Sequence, residues 1–499
     1  MHSEIFKFPS EVISVVKTLK NKGFEAYLIG GCSRDLLLDR KPKDWDVTTN
    51  AKPEEIIAMF PDTFYENDFG TVGVEFDKTK DETLRYIEVT PYRLEAKYSD
   101  NRHPDSVTFS DKLEKDLKRR DFTINAIAVD LVKEVSETEY EIDFIDLFKG
   151  KDDLKDKIIR TVGDPEERFG EDALRILRAI RLSCELGFMI NKETETAIVK
   201  LAQNLQKIAK ERIRDEFLKI IMSDRPMEGV IMAQKLGVLK FAMPELEKGI
   251  GIEQGGEHIY DVWEHTLRAL AHSADKKFSL ETRLAVMLHD IGKPTTRRPA
   301  EEKGQWTFYG HEVVGAKIAE KALNSLKLPT KTIEKTLKLI RWHMFFSDTE
   351  QITLSAVRRL LAKVGQENIW ELINVRMCDR IGMGRPKEEP YRLRKYQSMI
   401  EEVMRDPVSV GMLKINGGKI MEILKCPPGP KIGFILNALL EEVLDDPKRN
   451  TDEYLQKRTL ELAELPEKEL QKLGEEGKRK KEEGDEKDIA ELRKKYFVK

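Results

Sequence analysis

Strand-type patterning is confined to roughly the first 150 of 499 residues. Segments 26–29, 45–48, 72–76, 86–90 and 142–145 are short β-type runs, interleaved with helical stretches. From about residue 154 the apolar spacing changes to the 3.6-residue period of amphipathic helices. Strands gathered at one end and helices at the other imply an α+β chain. A mixed-sheet head would lead, followed by an all-helical neck, body and tail. A chain of this length is expected to hold three or four domains of about 100–200 residues. Breaks at Arg225-Pro226 and Met243-Pro244, and a Gly/Pro-rich stretch over 415–433, punctuate the helical part. The expected divisions are 1–150, 151–225, 226–385, 386–465 and a charged extension, 466–499, that alternates Lys and Glu runs.

Charge narrows the choice of partner. With 86 Lys+Arg against 90 Asp+Glu the chain is slightly acidic, which excludes nucleic-acid binding through bulk charge. Local clusters would have to serve, and 157–160, 207–214 with Lys200, and 327–341 are candidates. The four cysteines are scattered without CxxC spacing, so no disulfide framework is expected. The N-terminus lacks signal-peptide features and no window carries eighteen apolar residues, so the expectation is a reducing cytoplasm and no membrane span.

Two constellations carry chemistry. In the first, the run Ala26–Ile29 leads into Gly30-Gly31 and then a helix start bearing Arg34. Glycines at such a turn let a phosphate approach the backbone N–H groups and the positive end of the helix. Asp44 and Asp46 are spaced to share one face of a strand, with Trp45 on the other. Two carboxylates so close repel unless a cation lies between them, and Mg²⁺ with substrate phosphates fits that role. Glu88, in a β-branched run, is a third candidate acid, although a strand acid facing solvent would look the same. Further on, Arg119-Arg120-Asp121 opens an apolar run, and Asp172, Arg175, Arg178 and Arg181 recur every three residues as a stripe on one expected helix. The stripe could bind an anion or be neutralised by Glu167, Glu171 and Glu185.

In the second constellation, six of the eight histidines fall between residues 245 and 385. His265 lies in an expected helix and His289-Asp290 ends another; His311 opens a third, and His343 and Asp379 follow. Imidazole and carboxylate together suit a divalent transition metal.

The ordered set Gly30-Gly31-x-x-Arg34-Asp35, Asp44-x-Asp46, Arg119-Arg120-Asp121-Phe122-Thr123-Ile124-Asn125-Ala126 and Glu171-Asp172-x-x-Arg175-x-x-Arg178 resembles the bacterial class II tRNA nucleotidyltransferases. These are the CCA-adding enzymes and their poly(A) polymerase relatives, and the likeness runs through most of the chain except the charged tail. The resemblance implies that Asp44 and Asp46 hold catalytic Mg²⁺. Gly31, Arg34 and Arg120 would contact the nucleotide's phosphates and sugar. Asp172 and Arg175 would read the incoming base, with Arg178 and Arg181 completing the pocket. Residues 93–116 resemble the family's flexible loop, and 414–433 its tRNA-contacting part.

Leu288-His289-Asp290-Ile291-Gly292-Lys293 resembles the HD phosphohydrolase signature. That pattern would make His265, His289, Asp290 and Asp379 metal ligands, with His311 and His343 serving a second metal or the phosphate. The implied partners are tRNA, CTP and ATP, and the implied reaction is template-independent CCA addition. Three competing readings remain: a poly(A) polymerase, a CC- or A-adding enzyme, or chiefly an HD phosphohydrolase acting on RNA ends.

Overall fold

Ten strands lie in the N-terminal part of the computed structural model. They are β1 (Glu4–Lys7), β2 (Ala26–Ile29), β3 (Trp45–Thr49), β4 (Thr63–Tyr65), β5 (Val72–Glu75), β6 (Tyr86–Pro91), β7 (Arg93–Glu95), β8 (Val107–Phe109), β9 (Ile127–Glu134) and β10 (Glu139–Asp146). The structure describes residues 4–65, 70–95, 107–255, 258–300, 305–345, 352–466 and 468–473. Part of the expected loop at 93–116 and most of the extension from 466 lie outside these residues.

Eight strands form one sheet in the order β1-β10-β9-β2-β3-β6-β5-β4, and β7 pairs with β8 alone. Neighbours in the large sheet are antiparallel except β3 and β6, which run parallel. Side-chain alternation gives the sheet two unlike faces. Leu28, Trp45, Val47, Val72, Val74, Ile87 and Val89 are buried on one face, in a core shared with Val12, Val15, Val16 and Leu19 of helix Ser10–Asn21 and Ile56 of helix Pro53–Met59. Truncating a core aromatic such as Trp45 to Ala would cost about 3–5 kcal/mol. The opposite face carries Asp46, Thr48, Glu88 and Thr90, by the same alternation. The hydrophobic core therefore fixes which way the acids point.

The strand pattern fades as the sequence implies. Beyond residue 154 the described strands are two two-residue ladders, Ile158–Ile159 with Met189–Ile190 and Arg298–Pro299 with Trp306–Thr307. Helix Leu174–Leu186 ends at Gly187, whose φ of +71° suits glycine. It packs on helices Lys210–Met222 and Pro226–Lys235, with Ile176, Leu177, Ile180, Ile213, Phe217 and Ile220 buried.

The chain divides into two compact units, Met1–Pro244 and Glu245–Lys499. Pro226 opens a helix inside the first unit. In the second unit, helices Val262–Asp275, Leu280–Leu288, Thr330–Trp342 and Ile369–Gly382 pack together. Helices Gly417–Leu424, Pro430–Asp445 and Asp452–Ala463 enclose a separate apolar cluster around Ile420, Ile435, Leu439 and Leu455. Cys32, Cys184 and Cys378 are buried, Cys426 is half-buried, and all four thiols are free. Burial pushes the Cys32 and Cys184 thiols up to about 12. Among the described residues no helix is long and apolar enough to cross a membrane.

Candidate active sites: a carboxylate rim and a buried histidine–aspartate centre

The first site forms where β2 turns into the short helix Gly31–Leu37. Gly30 has φ +79°, and a Cβ there would lie 2.9 Å from Asp46 Oδ2 and 3.6 Å from Arg120 Nη1. The backbone therefore requires glycine, and a Cβ would also displace the Asp46 carboxylate. A Cβ on Gly31 would make ordinary contacts with Arg34 Nη2 and Asp44 Oδ1, each at 3.6 Å. Asp44 stands exposed one residue ahead of β3, and Asp46 lies half-buried within it. Asp46 is directly opposite Glu88 in the parallel β3–β6 pair, so these two acids share a face on neighbouring strands. Asp44, Asp46 and Glu88 thus form an acidic rim beside a glycine turn. Oxygen donors of this kind suit a hard divalent cation.

The arginines around this rim are held by side chains of the protein itself. Arg34 donates to Asn125 Oδ1 at 2.9 Å and to Asp35 Oδ1 at 2.9 Å. Buried Asp116 takes Arg119 at 2.6 Å and Arg120 at 3.0 Å. Burial would raise the Asp116 carboxyl, but the two guanidiniums hold it below its usual range. Arg178 pairs with buried Asp121 at 2.6 Å. Burial opposes ionisation of Asp121 too, yet Arg178 and Arg175 bring its pKa down to about 2. Arg175 donates to Glu171 Oε2 at 2.8 Å and to the Arg119 carbonyl at 3.2 Å. Arg181 joins Glu185 at 2.8 Å and Glu216 at 2.7 Å.

The structure corrects the expected single stripe. Helix Pro165–Glu171 ends at Asp172, whose backbone is extended (φ −137°, ψ 105°), and a new helix starts at Leu174. Asp172 Oδ1 accepts the Leu174 N–H at 2.9 Å, a local bond that competes with helix continuation. Its Oδ2 takes Arg212 at 2.8 Å. Asp172 is therefore held at a junction between helices, and only Arg175, Arg178 and Arg181 share one.

Sequence reasoning missed Asp116, Asp121, Arg212 and Glu216 as the groups that orient these side chains. Glu216 had a signal, since it sits on the apolar stripe of Ile213, Phe217 and Ile220, where a buried acid needs cationic partners. The basic cluster at 207–214 is partly committed to partners within the chain. Lys210 donates to the Phe241 carbonyl at 2.8 Å, Arg212 binds Asp172, and neighbouring Lys200 pairs with Glu166.

The second site assembles six side chains from separate segments of the second unit. His265 lies in helix Val262–Asp275 and Asp379 in helix Ile369–Gly382. His289 and His343 cap two helix C-termini, Asp290 follows His289, and His311 opens helix His311–Ser325. All six are buried. His265, His289 and Asp379 form one group, and Asp290, His311 and His343 another, with donor atoms in each within 4.8 Å of one another. Asp290 faces both groups. Its Oδ2 lies 3.0 Å from His265 Nε2 and 3.2 Å from His289 Nε2, while its Oδ1 lies 3.2 Å from His311 Nε2.

Backbone carbonyls set the tautomers. Nδ1 of His289, His311 and His343 lies 2.7, 2.8 and 2.7 Å from the carbonyls of Val286, Phe308 and Ile340. A carbonyl can only accept, so Nδ1 carries the proton and Nε2 offers a lone pair. Yet Nε2 atoms meet at 3.0 Å (His265–His289) and 3.3 Å (His311–His343). Asp290 Oδ2 also has Lys293 Nζ at 2.6 Å, but no neighbour is aligned with it as a hydrogen bond. The facing Nε2 lone pairs of His311 and His343, and a carboxylate without an aligned donor, are the arrangement that divalent ions relieve, so the residues fit a metal centre. Without metal, burial would lower the His289 imidazole, but Asp290 and Asp379 push it up to about 10. His343 is held well below its ordinary value by burial and by His289 and His311.

Profiles of known families match three stretches of the chain. The profile of the poly A polymerase head domain matches residues 26–160. That of the probable RNA and SrmB-binding site of polymerase A matches 187–250, and the HD domain matches 255–383. The CCA-adding enzyme of Lactobacillus helveticus is 47% identical over 42% of this chain, which spans about half (49%) of that relative's length. The CC-adding tRNA nucleotidyltransferase of Thermus thermophilus is 32% identical over 84% of this chain and 89% of its own. The crystal structure of the Bacillus stearothermophilus CCA-adding enzyme in complex with CTP superposes with a TM-score of 0.67 at 29% identity, covering 91% of this chain and 98% of that one. Family use of divalent metal agrees with the residue groups described above. From the length and identity of these matches, the chain belongs to the tRNA nucleotidyltransferase and poly(A) polymerase family and carries an HD domain.

Proposed function

We propose that the chain adds CCA, from CTP and ATP, to the 3′ end of tRNA by template-independent nucleotidyl transfer that releases pyrophosphate. The observation that carries this reading is the Asp46–Glu88 pair, in register beside a glycine turn that only glycine can make. The names of the relatives matched over most of their length support the substrate. Residues 1–150 would be the transferase head, 151–225 the base-reading neck, 226–385 the HD body and 386–465 a tRNA-binding tail.

Asp44 and Asp46, with Glu88 beside them, would hold Mg²⁺, which lowers the pKa of the attacking 3′-hydroxyl and neutralises charge on the leaving pyrophosphate. The Gly30-Gly31 turn would offer N–H groups to the phosphates, and Arg34 and Arg120 would supply guanidiniums that Asn125 and Asp116 keep in place. At the helix junction Asp172 would accept from the exocyclic amine of C or A while Arg175 donates to the neighbouring ring acceptor. U or G would put a carbonyl against that carboxylate, at a cost of about 1–3 kcal/mol. Arg212 and Glu171 keep the two readers at fixed positions.

The decisive assay extends tRNA transcripts ending at the discriminator base with CTP, ATP or both, resolved at single-nucleotide length. Three added residues establish CCA addition. A stop at two makes this a CC-adding enzyme like the Thermus relative, a long A-tail makes it a poly(A) polymerase, and no extension sinks the reading.

A second activity is favoured by the buried centre. We infer that His265, His289, Asp379 and Asp290 bind one divalent transition metal, and that His311 and His343 share Asp290 with a second. The site would then hydrolyse phosphate esters at RNA ends. Release of inorganic phosphate from a 3′-phosphorylated transcript, abolished in His289→Ala, is the expected result; phosphate release that survives His289→Ala would reject it.

A further inference from the structure

The acidic rim continues, strand by strand, into a pair of exposed aromatic rings. Asp46 on β3 is opposite Glu88 on β6, Glu88 is opposite Gly73 on β5, and Gly73 is opposite Phe64 on β4. Residues paired across a sheet share a face, so Phe64 points to the side that carries the acids. Tyr86 is two residues before Glu88 and points the same way. The rings of Phe64 and Tyr86 meet edge to face with centroids 5.3 Å apart, and remain 39% and 40% exposed. Gly73 makes room for them, because a Cβ there would lie 2.4 Å from Phe64 Cζ. The Phe64 ring thus lies down into the gap between the edge strand and Glu88. Strand spacing places Phe64 about 10 Å from Glu88, and Tyr86 about 7 Å along the strand.

Position in the sheet says what this platform would hold. The glycine turn follows β2, on one side of β3; Tyr86 on β6 and Phe64 on β4 are on the other side. In-line transfer sets the leaving pyrophosphate and the attacking oxygen on opposite sides of the α-phosphorus. If the triphosphate occupies the glycine turn, the acceptor strand must arrive from the β6–β4 side. We propose that Phe64 and Tyr86 form the stacking surface for the 3′-terminal nucleoside of the acceptor RNA. The proposal rests on the transferase reading above and identifies residues that would position its second substrate.

Stacking suits this role chemically. The terminal base changes with each addition, so a hydrogen-bonding pocket would reject some intermediates, whereas every base has a π-face. Arg85, with its guanidinium 5.2 Å from the Tyr86 ring and 3.8 Å from Glu75, adds a cation beside the platform for the RNA backbone. A purely structural role is the competing account, since an aromatic ring laid over a glycine stabilises an edge strand without any ligand.

The test is steady-state extension by the full chain on two acceptors, a tRNA transcript with a normal 3′-terminal nucleoside and the same transcript ending in an abasic ribose. Tyr86→Leu and Phe64→Leu should raise KM for the normal RNA roughly ten-fold and leave KM for CTP unchanged, whereas Tyr86→Phe should keep the wild-type KM. The abasic end should impose the same penalty on the wild type and no further penalty on the Leu variants. Equal KM for normal RNA in wild type and Leu variants, or an abasic penalty of equal size in both, overturns the proposal. Should a Leu variant melt early, the wild-type chain on the two acceptors decides alone, because indifference to the abasic end is incompatible with stacking. Failure of the wild type to extend any acceptor would instead reject the transferase reading itself.

Discussion

The acids of the first unit stand at the rim of a sheet, with Asp44 exposed and Asp46 half-buried, whereas the six donors of the second unit are all buried. The rim offers carboxylate oxygens, and the buried centre offers four imidazoles with two carboxylates. The contrast separates two ways of holding a divalent ion. A rim of hard oxygens leaves room for a metal that comes and goes with a nucleotide. A buried set of nitrogen-rich donors, with three of the four Nδ1 atoms already tied to carbonyls, is arranged before any substrate arrives.

Breaking one site should leave the other intact. Asp46→Ala is expected to lower tRNA extension by on the order of a thousand-fold or more, read as single-nucleotide products, without changing the metal retained after dialysis. Extension within ten-fold of wild type would remove the rim from the chemistry. In the buried centre, Asp290→Asn is expected to weaken metal retention by more than about a hundred-fold while kcat/KM for extension stays at the wild-type value. Because Asp290 faces both donor groups, metal content should fall at both positions together; loss of one equivalent only would refute a shared carboxylate.

Gly30→Ala sharpens the comparison from the backbone side. The positive φ and the 2.9 Å approach to Asp46 would cost about 1–3 kcal/mol, so extension should drop roughly ten- to hundred-fold through kcat, with KM for RNA little changed. The smallest effect concerns Asp121 and Arg178. With its pKa brought from 3.8 to about 2, the Asp121 carboxylate contributes roughly 2 kcal/mol that is whole above about pH 4 and fades as pH falls toward 2. Arg178→Met should remove that contribution at neutral pH and flatten the loss of urea resistance between pH 4 and 2. An unchanged acid profile would show that the pair is not coupled to folding.

Much of the rim was legible because strand alternation is local. Trp45 and Val47 on one side dictate Asp46 on the other, and the same parity applies to Ile87, Glu88 and Val89. What alternation cannot show is that β3 and β6 are neighbours in register, because the chain visits β4 and β5 between them. The arginine stripe misled for a related reason. A three-residue repeat persists across the break at Asp172, where a single side-chain bond to Leu174 N–H redirects the backbone. Basic residues at 207–214 read as a surface cluster since the carboxylate that binds Arg212 lies forty positions earlier. For the buried centre the donor types were plain in the sequence, but the shared position of Asp290 depends on helices that meet only in three dimensions.

The burial of three thiols has a practical corollary. With Cys32 and Cys184 closed off and their thiols pushed up to about 12, and Cys378 buried as well, alkylating reagents at neutral pH meet one partly exposed target, Cys426. The unmodified chain therefore supplies its own single attachment point for a fluorophore, just after helix Gly417–Leu424 and remote in sequence from both candidate centres. Its signal on adding RNA could be followed without first engineering away the other cysteines.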